Sequence, residues 1–275
     1  MAIISFWNNR NEETGKSSAV AAISTFLGIN HNYKILVLST KYNDYFYQDC
    51  YWKDNKNENV INAKTMVGIG EGMVGLSRAI LSNKVSPEII TNYTKIVLND
   101  NRLEILYDNN IMKEQYETHK TVFNDIVKTA NKFYDLVFVD IDSDLDEKTK
   151  KQLIETSNIV IGCVPQKPRT IKSYLKEKKE NKILENKLLI TLLCKYDIES
   201  KFNKKVVSKF LKEKNPLILP YNTAFMDACN EGKVADYFIK YMKVSKKDKN
   251  AYFMSCVSED VEQIIYALQN LQLRI

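Results

Sequence analysis

Trp7-Asn8-Asn9-Arg10-Asn11-Glu12-Glu13-Thr14-Gly15-Lys16-Ser17-Ser18 is the stretch on which the reading of this chain turns. Ahead of it, Ala2 to Trp7 is an apolar run that reads as a short buried strand. Behind it, Ala19 to Leu27 reads as a helix. Strand, loop, Gly-Lys-Ser and helix is the context that a phosphate-binding P-loop requires. Backbone N–H groups at a helix start carry partial positive charge and favour an anion. Lys16 would add a full charge on the outer phosphates, and the Ser17 hydroxyl would hold Mg²⁺.

The match to the full motif is incomplete. The pattern asks for glycine five residues before Gly15, and this chain has Arg10. Glu12 and Glu13 stand where close approach to phosphate asks for small residues. A carboxylate turned inward to ~6 Å from a phosphate charge costs about 3 kcal/mol at an effective dielectric of ~20. Turned outward, it costs far less. The alternative reading of the loop is a plain helix start capped by Thr14 or Ser17, with Lys16 in solvent.

With 275 residues, the chain has room for one large α/β domain or two small ones. Its 44% hydrophobic and 27% charged residues match an ordinary globular protein rather than a disordered one. No apolar run approaches the ~18 residues of a membrane span. No secretory signal opens the chain, so a cytoplasmic protein without a transmembrane segment is expected. Cys50, Cys163, Cys194, Cys229 and Cys256 are scattered without a C-x-x-C pair. They read as reduced, buried thiols. His31 and His119 stand far apart in sequence, which argues against a histidine metal site or triad. The net charge of +6 is modest, and lysines concentrate between Lys167 and Lys214. Glu177 and Glu180 interleave with them, so a solvated helix face is favoured over a nucleic-acid or lipid surface.

Further along, Lys34 to Leu38 reads as a second buried strand ending in Ser39-Thr40. Tyr42 to Asn59 is polar, tyrosine-rich and without clean period, and reads as a long loop. Gly68, Gly70 and Gly72 form a glycine-rich turn into a helix over Met73 to Leu81. Ser86-Pro87 reads as a helix start. Short strands follow over Asn92 to Leu98 and Arg102 to Leu106, then one long amphipathic helix over Lys113 to Phe133.

Tyr134-Asp135-Leu136-Val137-Phe138-Val139-Asp140-Ile141-Asp142 is the second informative stretch. An aspartate at the carboxyl end of a continuous apolar strand is where open α/β sheets place ligand chemistry. Beside a P-loop, Asp140 is the candidate for the Mg²⁺-holding or water-holding carboxylate, with Asp142 near it. Strand then alternates with helix: Ile159 to Val164, Lys167 to Glu180, Leu188 to Cys194, Asn203 to Lys214, Leu217 to Leu219, Ala224 to Gly232 and a closing helix, Val257 to Leu273. This alternation predicts right-handed βαβ units: an α/β, three-layer, mostly parallel sheet with helices on both faces. No linker or repeat interrupts it, so residues 1–275 read as a single domain.

In this order the motifs resemble the ParA/MinD group of P-loop ATPases, the deviant Walker A family. The family loop, lysine-glycine-glycine-x-glycine-lysine-serine/threonine, falls on Asn11-Glu12-Glu13-Thr14-Gly15-Lys16-Ser17. The family's strand-end aspartate matches Asp140. Val164-Pro165-Gln166-Lys167-Pro168, Leu219-Pro220-Tyr221-Asn222 and Ala228-x-x-x-Gly232-Lys233 are similar to its later segments. Within the family, the chain is most similar to CpaE-like proteins of Tad-type pilus or secretion clusters. The resemblance implies ATP or ADP and Mg²⁺ as ligands, with Arg10, Asn11, Thr14, Gly15, Lys16, Ser17 and Ser18 around the nucleotide. It assigns Ser17 and Asp140 to the metal, and Lys16 and Asp140 to the chemistry. It further implies a homodimer and a protein partner in a pilus, secretion or conjugation assembly.

Three departures qualify that implication. The family's signature lysine is Asn11 here, with Arg10 adjacent. Its water-positioning aspartate after the second strand is Ser39, and its adenine-contacting asparagine falls in the region of Lys195-Tyr196-Asp197. The implied activity is nucleotide binding with weak or no hydrolysis. Two alternatives stay open: a pseudo-ATPase scaffold that binds no nucleotide, and a plasmid or chromosome partition ATPase that binds DNA without sequence preference.

Overall fold

The computed structural model describes residues 1–9, 13–52, 72–82, 86–108 and 110–272. Eight strands form one sheet in the order β3-β4-β2-β5-β1-β6-β7-β8. They are β1 (Ala2–Trp7), β2 (Ile35–Ser39), β3 (Lys95–Leu98), β4 (Leu103–Leu106), β5 (Leu136–Asp140), β6 (Ile159–Pro165), β7 (Leu188–Tyr196) and β8 (Leu217–Pro220). All neighbours run parallel except the edge pair β3 and β4. The central strands are buried along their whole length, which is why they appear in sequence as continuous apolar runs rather than alternating ones.

One face of the sheet carries Ile4, Phe6, Val37, Phe138, Ile161 and Leu192. Helices α1 (Lys16–Asn30), α2 (Phe46–Tyr51), α10 (Thr223–Asn230), α11 (Val234–Tyr241) and α12 (Ala251–Gln272) cover it. The opposite face carries Ile3, Leu36, Val137, Val160 and Leu193. It is covered by α3 (Gly72–Leu81), α4 (Lys113–His119), α5 (Phe123–Ala130), α6 (Glu147–Thr156), α7 (Pro168–Glu180), α8 (Lys182–Glu185) and α9 (Lys204–Leu211). Helices on both faces of a mostly parallel sheet is the architecture predicted from the alternation.

Several boundaries differ from expectation. The stretch from Tyr42 is not all loop, because α2 lies inside it; residues 53–59 of that stretch, and 65–71 of the glycine-rich segment, fall outside the described residues. Tyr47 and Cys50 of α2 are buried, and Phe46 and Tyr51 pack partly buried against the core; a helix of six residues is too short to display a period. The expected helix over Lys113 to Phe133 is broken by a 3₁₀ turn at Lys120–Val122. The buried His119 is held with Nε2 2.8 Å from Asp108 Oδ2, and Tyr116 donates to the Thr40 carbonyl at 2.8 Å. Both contacts anchor α4 to loops beyond β4 and β2, and α5 starts only after the 3₁₀ turn. Ser86-Pro87 opens a 3₁₀ turn, Pro87–Asn92, with proline at its start and no side-chain cap from serine.

Helix α9 stops early, at Lys212, which takes φ 57°. Helices α6 and α11 were not expected. Helix α12 starts well ahead of Val257 and buries Phe253, Val257, Val261, Ile264 and Leu268 in the core. This closing helix docks on α1 and β8. Among the described residues no helix is long and apolar enough to cross a membrane. All five cysteines are buried free thiols.

Candidate phosphate and metal site

Strand β1 is central, with β5 on one side and β6 on the other. Its carboxyl end is therefore where crossovers diverge to opposite faces, the crevice in which open α/β sheets bind ligands. Asn8 and Asn9 follow β1 there, and Gly15 opens α1. Gly15 is the residue before the helix, at φ 85°, and its carbonyl accepts from Ala19 N at 3.0 Å. Gly15, the cap residue, brings no side chain to the first amides of α1, and a helix start of this kind favours an anion. The left-handed conformation explains glycine. So does crowding: a Cβ there would lie 3.1 Å from Lys195 Cγ and 3.5 Å from Cys194 Cβ.

Lys16 is largely buried rather than held in solvent. Its ammonium donates to the Ile141 carbonyl and stands 3.2 Å from Asp140 Oδ1, with the two side chains 10% and 5% exposed. Ser17 Oγ donates to Asp140 Oδ2 at 2.6 Å. Asp140 ends β5 in register with Phe6 on β1 and Ser39 on β2. The Gly-Lys-Ser segment and the strand-end aspartate, more than a hundred residues apart, thus meet through their side chains. Ser18 is half-buried and lines an adjoining cleft; Thr14 is buried. Glu13 is exposed. Arg10, Asn11 and Glu12 lie outside the described residues. Asp142 is half-buried, and its amide donates to Thr40 Oγ1 at 2.8 Å.

Two functional-looking residues were not singled out from sequence. Tyr47, fully buried on α2, donates to Asp140 Oδ2 at 2.9 Å. Asp44, 1% exposed, accepts from Ser39 Oγ at 2.5 Å through Oδ2 and from Phe46 N at 3.0 Å through Oδ1. Burial pushes the Asp44 carboxyl above its ordinary range; the Ser39 hydrogen bond opposes this and the Asp140 charge adds to it. Burial, and then the Asp140 and Asp44 charges, push the Tyr47 phenol well above its ordinary value, so it stays a donor. The available signal was position: both follow the carboxyl end of β2, where site residues gather.

Next to Gly15 a cleft is lined by Ser18, Lys195, Pro220, Tyr221 and Asn222. Lys195, at φ 52°, lies across Gly15. The Asn222 side chain caps α10 by accepting from Phe225 N at 2.8 Å. On the lysine-rich side, Lys178 pairs with Glu213 at 2.7 Å and ties α7 to α9. Among the described residues no group of three or more His, Cys, Asp or Glu side chains is placed to hold a metal. The site's donor set is instead one hydroxyl and one carboxylate. That is the hard-oxygen chemistry magnesium takes when phosphate and water complete its shell, so the residues present fit the ion.

No family model matches the sequence, and no curated protein matches it. Solved structures do match along nearly the whole chain. A ParA family ATPase from Chlorobium tepidum TLS is 15% identical with a TM-score of 0.69, over 97% of this chain and 98% of that one. The septum site-determining protein MinD complexed with Mg-ADP from Pyrococcus horikoshii OT3 is 16% identical with a TM-score of 0.66, over 96% and 97%. A putative plasmid partition protein from Borrelia burgdorferi B31 bound to AMPPNP is 17% identical with a TM-score of 0.58, over 95% and 98%. The fold is that of the ParA/MinD-type P-loop ATPases.

Proposed function

We propose that this chain, built on the ParA/MinD-type P-loop fold, is a nucleotide-dependent switch that binds ATP with Mg²⁺ and positions or regulates a larger assembly. The convergence of Lys16 and Ser17 on Asp140 at the start of α1 is the observation that carries this reading. Lys16 brings a full positive charge to the phosphate end, beside the first amides of α1. Ser17 and Asp140 hold the metal. Mg²⁺ held by these two residues would supply positive charge to offset that of the phosphates. Ser18, Lys195 and Pro220 line the cleft beside the phosphate site and would face the rest of the nucleotide.

Hydrolysis is proposed to be weak or absent. The residue ending β2 is Ser39, and its proton is already committed to Asp44. It therefore offers neither a base nor a charge to orient an attacking water. The Walker A loop is degenerate at Asn11, Glu12 and Glu13. As in the sequence resemblance, a homodimer and a CpaE-like role in a pilus, secretion or conjugation machine complete the proposal. Steady-state turnover of ATP tests it: wild type should run far below the ~1 s⁻¹ floor of ordinary enzymes, and whatever turnover remains should be lost in Lys16→Ala. Turnover of several per second would overturn the weak-hydrolysis reading.

The scaffold alternative has one observation in its favour: Asp140 already neutralises Lys16 without any ligand. It predicts no nucleotide binding at all. The partition alternative rests on exposed lysines around α7 and α9. It predicts DNA retention that falls steeply with salt, and no retention at low salt removes it.

A further inference from the structure

Tyr47 has no part in the assignments above, yet it is fully buried and its hydroxyl reaches the same Asp140 oxygen as Ser17. Three donors therefore converge on one carboxylate: Lys16 at Oδ1, and Ser17 and Tyr47 at Oδ2. On the proposed function, Lys16 and Ser17 each have a second duty, toward phosphate and metal. Asp140 is the acceptor to which Tyr47 donates.

Tyr47 also belongs to a helix with a second tie to the site. Helix α2 has six residues. Its first amide, Phe46 N, is held by Asp44 Oδ1, while Asp44 Oδ2 takes the hydroxyl of Ser39. Ser39 pairs in register with Asp140. Two buried carboxylates thus act on Tyr47, Asp140 at the metal position through a direct hydrogen bond and Asp44 at the start of α2 through its charge. A positive charge arriving at Asp140 relieves their repulsion and weakens the pull on the Tyr47 proton. At its far end α2 runs into Trp52, whose ring stacks on Tyr107 at 6.2 Å. Tyr51, one residue earlier, bonds Thr25 of α1 at 2.8 Å.

We propose that Tyr47 is the positioning residue that fixes the metal-holding carboxylate Asp140 and couples its magnesium state to helix α2. The proposal rests on the Mg²⁺-nucleotide reading of the site. Other partners of metal-holding carboxylates behave in this way, and their loss weakens metal affinity about 10- to 100-fold.

The test uses the full chain saturated with ATP, titrated with Mg²⁺ and followed by tryptophan emission. The chain has only Trp7 and Trp52, so Trp52→Phe identifies the part of the signal that comes from the end of α2. Wild type should show a Mg²⁺-dependent change that Trp52→Phe lacks. Tyr47→Phe, which removes one oxygen, should lose most of that change and need about tenfold more Mg²⁺, while ATP affinity measured in EDTA stays at the wild-type value. An unchanged Mg²⁺ midpoint and full emission response in Tyr47→Phe would overturn the proposal. So would a flat Trp52 signal in wild type that calorimetry shows to bind Mg²⁺-ATP; that result would leave the nucleotide reading intact. Calorimetry showing no Mg²⁺-ATP binding by wild type would overturn both. Should Tyr47→Phe fail to fold, Asp44→Asn carries the test at the other tie of α2, since Asn can still accept from Phe46 N. A diminished response supports the coupling, and a full one overturns it.

Discussion

Lys16 and Asp140 form an ion pair at the carboxyl edge of the sheet, Nζ to Oδ1 3.2 Å, in surroundings that leave the side chains 10% and 5% exposed. Desolvated charges of this kind depend on each other: removing one partner strands the other, at a cost of about 3–5 kcal/mol. Lys16→Ala should therefore lower unfolding stability by about that amount even without nucleotide. The double variant Lys16→Ala/Asp140→Asn should recover part of the loss, because no charge is left unpaired. Urea unfolding midpoints of the two variants check this. A double variant less stable than Lys16→Ala would mean that Asp140 does not need Lys16 for its charge.

Gly15 combines a left-handed backbone with the close approach of Lys195. Gly15→Ala should cost about 1–2 kcal/mol from the backbone conformation alone. The contact with Lys195 Cγ adds to it. Adding Lys195→Ala should relieve the contact part and leave the backbone part. Thermal unfolding of the single and double variants separates the two contributions. An alanine at position 15 with wild-type stability would contradict the conformation assigned to this loop.

Asp260 of α12 accepts from Ile218 N through both oxygens, at 3.0 and 3.2 Å, and is 2% exposed. Burial raises its pKa well above the ordinary 3.8, more than the Ile218 hydrogen bond and the Lys204 charge lower it. The folded protein therefore holds this proton more tightly than the unfolded chain. Its contribution is fully present below pH ~4 and is lost as pH rises through the folded-state pKa. Asp260→Asn keeps an acceptor for Ile218 and has no proton to lose. Stability of wild type relative to Asp260→Asn should fall from pH ~4 upward; a difference that is constant with pH would contradict the assignment.

The layers and the site's ends were legible for one reason: strands buried on both faces show as continuous apolar runs, and Ala2 to Trp7 and Leu136 to Asp140 are such runs. The Gly-Lys-Ser turn and Asp140 could be read because motif and strand end coincide. What could not be read was carried by tertiary contact. The six residues of α2 are too few to display a period. Helix α6 buries only Thr149, Leu153 and Ile154, and its start is announced by Asp146 accepting from Thr149 N rather than by an apolar stripe. The break after His119 coincides with its contact to Asp108, which lies in the loop after β4. The interposition of Tyr47 on Asp140 needs ninety-odd residues of chain to fold back, and no spacing encodes that.

Nucleotide binding by Lys16, Ser17 and Asp140 is the central claim, and calorimetry of ATP and ADP with Mg²⁺ against wild type and folded Lys16→Ala tests it most directly. Wild type should bind saturably and Lys16→Ala at least tenfold more weakly, the loss of about 1.4 kcal/mol or more that a charged phosphate contact contributes. Equal affinity in the two proteins, or no heat of binding in either, would contradict it.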